Sequence, residues 1–220
     1  MDRLFEFTVV NNCVNVDYRY NLGHRFGECL VSPDGQFRLI YIPKNASIEV
    51  RNALNGWKKS NYLEDKHQAQ NIVLFRDPTE RWISGIAEFL VGKFSYMGNI
   101  NQPVDVDELD YLMTSNLFQN LLFHFGIFDG HTLPQACYVN GIDLSHSLFF
   151  FIDHEVMSKI SKYLAMPMVS IYNNKSESNA IKYLIIKKLQ KIISERPDFQ
   201  KMIDIHYYAD HQLCERARFY

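Results

Sequence analysis

The chain has 220 residues, long enough for one large α/β domain spanning 1–220 and short for two. Apolar residues make up 47%, which excludes wholesale disorder. A formal net charge of -2 leaves no basic excess that would point to nucleic acid or to an anionic membrane surface, so any anion site must be local.

The N-terminal Met1-Asp-Arg-Leu-Phe-Glu-Phe7 breaks its apolar residues with charges, unlike a signal peptide or anchor. No apolar run approaches the roughly 20 residues that span a bilayer. A cytoplasmic protein is the expectation. Cys13, Cys29, Cys137 and Cys214 lie far apart without zinc-like spacing and read as buried structural thiols.

Residues 1–36 are polar and turn-rich, closing on the turn signal Ser32-Pro-Asp-Gly35. Phe37 to Ile42 follows as a buried strand that Pro43 ends, and Val50, Ala53, Leu54 and Trp57 recur with helical spacing. A polar connector from Lys58 to Gln70 leads to a second buried strand, Ile72 to Phe75. Asp77-Pro78 opens a helix whose apolar face is Trp82, Ile83, Ile86, Phe89 and Leu90. Residues 92–107 read as a loop. Leu109, Leu112, Leu117, Leu121 and Leu122 suggest one helix, Ser147 to Ile152 a third strand with Phe149, Phe150 and Phe151 in the core, and Glu155 to Leu164 a helix. After the polar break at Asn173-Asn-Lys-Ser-Glu-Ser178, a helix from Ile181 to Glu195 precedes an aromatic tail from Tyr207 to Leu213. This order predicts a central parallel sheet flanked by helices.

Two strand-to-helix turns carry the chemistry. In Tyr41-Ile-Pro-Lys-Asn-Ala-Ser47, Lys44 supplies a mobile charge and Ser47 a hydroxyl. Ala46 allows close backbone approach, and the N–H groups of the helix start, around Ile48, favour a phosphate. The same residues also fit a helix cap beside a solvated lysine. In Phe75-Arg-Asp-Pro-Thr-Glu-Arg81-Trp-Ile-Ser84, Arg76 follows the strand directly and Ser84 lies about two helical turns on, a pair suited to a second phosphate. Arg81 is placed to pair with Glu80 or with a carboxylate elsewhere, and the whole stretch also fits an ordinary capped helix with surface charges.

Together, with Arg76 following Lys44 by 32 residues, these stretches resemble the sulfotransferases that use 3′-phosphoadenosine-5′-phosphosulfate (PAPS). The likeness is nearest to the carbohydrate branch of that family. His131-Thr-Leu-Pro-Gln135 is similar to a histidine–aromatic–x–proline–glutamine segment there. Phe151-Ile-Asp-His-Glu155 and Tyr208-Ala-Asp210 resemble later segments in the same order.

The resemblance implies a three-layer P-loop-like fold, PAPS as donor, the bisphosphate PAP as product, and an acceptor that is a glycan or other hydroxyl-bearing small molecule. Lys44, Asn45, Ala46, Ser47 and Ile48 would surround the 5′-phosphosulfate and Arg76 and Ser84 the 3′-phosphate, with Asn174 and Ser176 as further donor contacts. Lys44 would neutralise charge on the leaving oxygen, so the scheme calls for no metal ion. His67 and His131 are the candidate bases, with Glu64 and Asp65 as acidic alternatives.

Ile48 replaces a second hydroxyl residue, Thr132 replaces the usual aromatic, and the family's secretory branch normally carries an anchor and paired cysteines. The implied relative is therefore a compact bacterial or viral-type cytosolic enzyme. A non-catalytic nucleotide- or glycan-binding module stays open. A kinase-like phosphotransferase is disfavoured by the missing glycine-rich lysine loop.

Overall fold

A computed structural model describes residues 27–45, 50, 52–64, 68–97, 106–125, 130–165 and 180–218. Ala46, Ser47, Ile48, Asp65, His67, Asn174 and Ser176 lie outside them. The chain divides into two compact units, Met1–Asp77 with Pro134–Asn173 and Tyr207–Tyr220, and Pro78–Leu133 with Asn174–His206.

The first unit holds a five-stranded sheet of β1 (Glu28–Val31), β2 (Phe37–Ile40), β3 (Lys58–Asn61), β4 (Gln70–Phe75) and β5 (Ser147–Phe151), in the order β3-β1-β2-β4-β5. Strands β2, β4 and β5 are parallel, while β1 runs antiparallel to both of its neighbours. The sheet is thus mixed, which corrects the expected parallel one.

The β1–β2 hairpin closes through the foreseen turn. Gly35 N donates to Ser32 O at 2.9 Å, and the Asp34 carboxylate accepts from Ser32 Oγ and the Gln36 N–H. Both β1 and β3 were missed: β1 sits in the stretch read as turn-rich and β3 in the polar connector. In β3, Lys58 and Lys59 are exposed on the sheet edge, where lysines discourage pairing with another chain.

Alternating side chains send the strands' apolar residues to both faces of the sheet. One face packs Leu39, Ile72 and Leu74 with Val50, Leu54 and the Val156, Met157 and Ile160 stripe of a helix, Val156–Leu164. On the other, Phe75 and Phe149 meet at 5.7 Å, and the guanidinium groups of Arg216 and Arg218 lie over the rings of Phe149 and Phe151. Those arginines belong to a helix, Tyr208–Arg218, where the sequence suggested only an aromatic tail.

The second unit is helical. Numbering helices along the chain gives α1 (Pro78–Met97), α2 (Val106–Thr114), α3 (Asn116–Phe125), the short α4 (Gln135–Tyr138) of the first unit, α5 (Val156–Leu164), α6 (Ala180–Glu195), α7 (Pro197–His206) and α8 (Tyr208–Arg218). Helix α1 starts at Pro78 as expected and buries Trp82, Ile83, Ile86, Ala87 and Leu90. It runs to Met97, past Gly92, where a loop was expected. The single helix expected over Leu109–Leu122 is two, because Ser115 Oγ accepts from the Phe118 N–H and caps α3. No helix among the described residues is long and apolar enough to cross a membrane.

Cys29 and Cys214 are buried free thiols, in line with the sequence reading, whereas Cys137 is disulfide-bonded.

Candidate phosphate-facing site

Because β2 and β4 are adjacent and parallel, the turns that leave them emerge at the same end of the sheet. The first is a tight turn over Ile42–Asn45, with Asn45 N donating to Ile42 O at 3.2 Å. Pro43 fixes the second position, and Lys44 takes the third with φ of 67°, the sign that a type II turn demands there. A side chain in this left-handed region costs about 1–2 kcal/mol, which is why glycine or asparagine usually occupies it. Lysine here is therefore a departure from what the backbone prefers.

The next residue locks that turn to β4. Asn45 is 1% exposed, and its Nδ2 donates to Leu74 O at 2.6 Å and to Gln135 Oε1 at 2.5 Å. Its own Oδ1 has no hydrogen-bond partner among the described residues, a buried acceptor that costs about 1–3 kcal/mol to leave unmet. A strained cation followed by an unsatisfied amide is a combination that local stability alone does not favour.

Arg76 begins the second turn. Its backbone N–H donates to Gln135 Oε1 at 2.9 Å, and its carbonyl accepts from Gln135 Nε2 at 2.9 Å. The Arg76 guanidinium reaches back to Lys44 O at 3.4 Å. Lys44 and Arg76, two cations singled out in the sequence, thus stand on neighbouring turns joined through the Lys44 carbonyl, and both are partly exposed.

Gln135 is held in turn by Asp210, and both are 0% exposed. The Asp210 carboxylate accepts from the N–H groups of Gln135 and Ala136, each at 2.8 Å, and from Gln135 Nε2 at 3.3 Å. The Cys214 thiol donates to Arg76 O at 3.2 Å. Burial, reinforced by the negative charges of Asp210 and Asp77, pushes that thiol far above its usual range and keeps it protonated. Gln135 and Asp210 entered the sequence reading only inside segments similar to a family's. Their burial and mutual contact could not be read there.

The other candidates divide by location. Glu64 is exposed in the turn after β3, within reach of Asn61 Nδ2 at 3.5 Å. Ser84 and His131 belong to the second unit. Ser84 is 8% exposed on α1. Arg81 is fully buried and donates from Nη1 to Leu133 O at 2.5 Å. One turn further along α1 stands Gly85, where a Cβ would lie 2.6 Å from His131 O and 2.9 Å from Thr132 Cγ2. The His131–Leu133 segment therefore lies directly on the Arg81–Gly85 face of α1, and His131 itself is partly exposed. His67, Ala46, Ser47, Ile48, Asn174 and Ser176 are outside the described residues.

No protein-family model, curated protein or solved structure matches the chain.

Proposed function

We propose that the chain is a sulfotransferase that moves a sulfuryl group from PAPS to an acceptor hydroxyl, with carbohydrate as the acceptor class. The P-loop-like three-layer arrangement belongs to the same proposal. One observation carries it: Lys44 and Arg76 stand on neighbouring turns at the ends of two adjacent parallel strands, with a single buried amide bonded to both turns. That arrangement suits a ligand with two separated anionic groups better than it suits a single phosphate.

In this reading the acceptor oxygen attacks sulfur in line as the bond from sulfur to the 5′-phosphate oxygen breaks. Lys44 neutralises the negative charge that develops on that leaving oxygen, with Ser47 and the N–H groups near Ile48 assisting. The acceptor proton passes to His67 or His131. Arg76 holds the 3′-phosphate, and Ser84→Ala tests the part that the resemblance gives to that hydroxyl.

The test is transfer from donor labelled in the sulfuryl group to a panel of sugars, lipids and phenols. Labelled product should form in step with released adenosine 3′,5′-bisphosphate, and Lys44→Ala should lower the rate about 10²–10³-fold, as for loss of one transition-state donor. Binding of the bisphosphate without transfer to any acceptor would favour the non-catalytic module.

A further inference from the structure

The geometry points to Gln135 as a positioning residue, anchored by Asp210, that sets the Lys44 turn against Arg76 and so fixes the distance between two anion grips. The inference rests on the proposed function and adds to it the element that makes the site selective for a doubly phosphorylated ligand.

Strand β4 ends at Phe75, so the next peptide has no strand neighbour to bond. The Gln135 side chain takes that place. Its oxygen accepts from Arg76 N and its nitrogen donates to Arg76 O, as a paired strand would. The same oxygen also accepts from Asn45 Nδ2, which ties in the Lys44 turn. The amide has only one workable orientation. Its oxygen faces two donors, while its nitrogen faces only acceptors: Arg76 O, Asp210 Oδ2 and, more distantly, Cys214 Sγ. Asp210, bonded to the N–H groups of Gln135 and Ala136, keeps the amide from shifting. Every group in this chain of contacts lies in the first unit.

A fixed spacing between Lys44 and Arg76 benefits a ligand that engages both cations, and gives little to one that engages a single cation. Loss of Gln135 should therefore erode the preference for adenosine 3′,5′-bisphosphate over AMP more than it weakens AMP itself. A merely structural role would weaken both nucleotides in step.

Calorimetric titration of both nucleotides into wild type and Gln135→Ala reads that ratio. The preference should fall about tenfold, within the range for coupled neighbours. Gln135→Glu keeps the shape and adds a second readout. A protonated glutamic acid can still donate toward Arg76 O or Asp210, but an ionised one sets a carboxylate against both acceptors. The charged and titratable groups around it are Asp210, Arg76 and Cys214, with Asp77 and Arg218 acting on Cys214. Burial beside Asp210 favours the protonated form at low pH. The Gln135→Glu preference, relative to wild type at the same pH, should be near unity at about pH 5.5 and about tenfold lower at about pH 8.

A preference equal to wild type in both variants, or equal losses for both nucleotides, would overturn the inference and leave the functional reading standing. A wild type that binds the two nucleotides equally would remove both.

Discussion

Lys44 is the residue where backbone preference and side-chain chemistry pull apart. Its φ of 67° suits glycine, yet a cation stands there. Lys44→Gly should therefore leave thermal stability unchanged or raise it by up to about 1 kcal/mol, while abolishing binding of the bisphosphate. Differential scanning calorimetry and titration on one sample check both halves. A stabilised variant that binds normally would make Lys44 a bystander. Tyr62 offers a purely structural contrast. Its hydroxyl lies 2.8 Å from Tyr138 O and 3.2 Å from Asn140 O, and burial pushes its pKa up to about 12. The neutral phenol is the native form, so its contribution is complete below the ordinary value of 10.0 and is lost as pH rises toward about 12. Tyr62→Phe should cost about 1–2 kcal/mol at neutral pH and flatten the alkaline loss of stability in urea titrations.

Elements were legible in the sequence where burial imposed an apolar run. Strands β2 and β4 are largely buried. Strand β5, at the sheet edge, buries Phe149 but leaves Phe150 and Phe151 only partly covered where the core was expected. Their Phe-, Leu- and Ile-rich stretches announced all three within two residues at either end. Strands β1 and β3 are four residues each and owe their existence to antiparallel pairing. β3 in particular reads Lys-Lys-Ser-Asn and carries no hydrophobic signal. The site divides the same way. Lys44 and Arg76 stood out because charge at a strand end is a local pattern. Gln135 and Asp210 draw their meaning from contacts 59 to 90 residues apart in sequence, which no local pattern encodes. The burial of Arg81 was hidden for a related reason: the Leu133 carbonyl that accepts from its Nη1 comes from a distant segment. That packing makes a prediction for α1. Alanine for glycine in a helix interior ordinarily stabilises by about 0.5–1 kcal/mol. Gly85→Ala should instead destabilise by about 1–3 kcal/mol, because its Cβ meets the backbone of His131. A shift of the urea midpoint gives the sign, and a stabilised variant would mean that the segment yields easily.

For the molecule as a whole, a net charge of -2 means that anion binding must come from focused groups, and the proposed function assigns that part to Lys44 and Arg76. Acid sensitivity should have an identifiable contributor in the second unit. Burial holds His206 below its ordinary value of 6.5, so the unfolded chain takes up that proton first. Its contribution is present above pH 6.5 and is lost as pH falls from there through the lower folded value. Thermal midpoints should drop on acidification over that window, and His206→Gln should flatten the drop. In the proposed function, two turns grip one doubly phosphorylated adenosine. Calorimetric titration of the wild type with adenosine 3′,5′-bisphosphate beside AMP tests it most directly. The bisphosphate should bind at least about tenfold more tightly, about 1.4 kcal/mol, and Arg76→Ala should abolish the difference. Equal affinity for the two nucleotides, or a preference that survives Arg76→Ala, would contradict it.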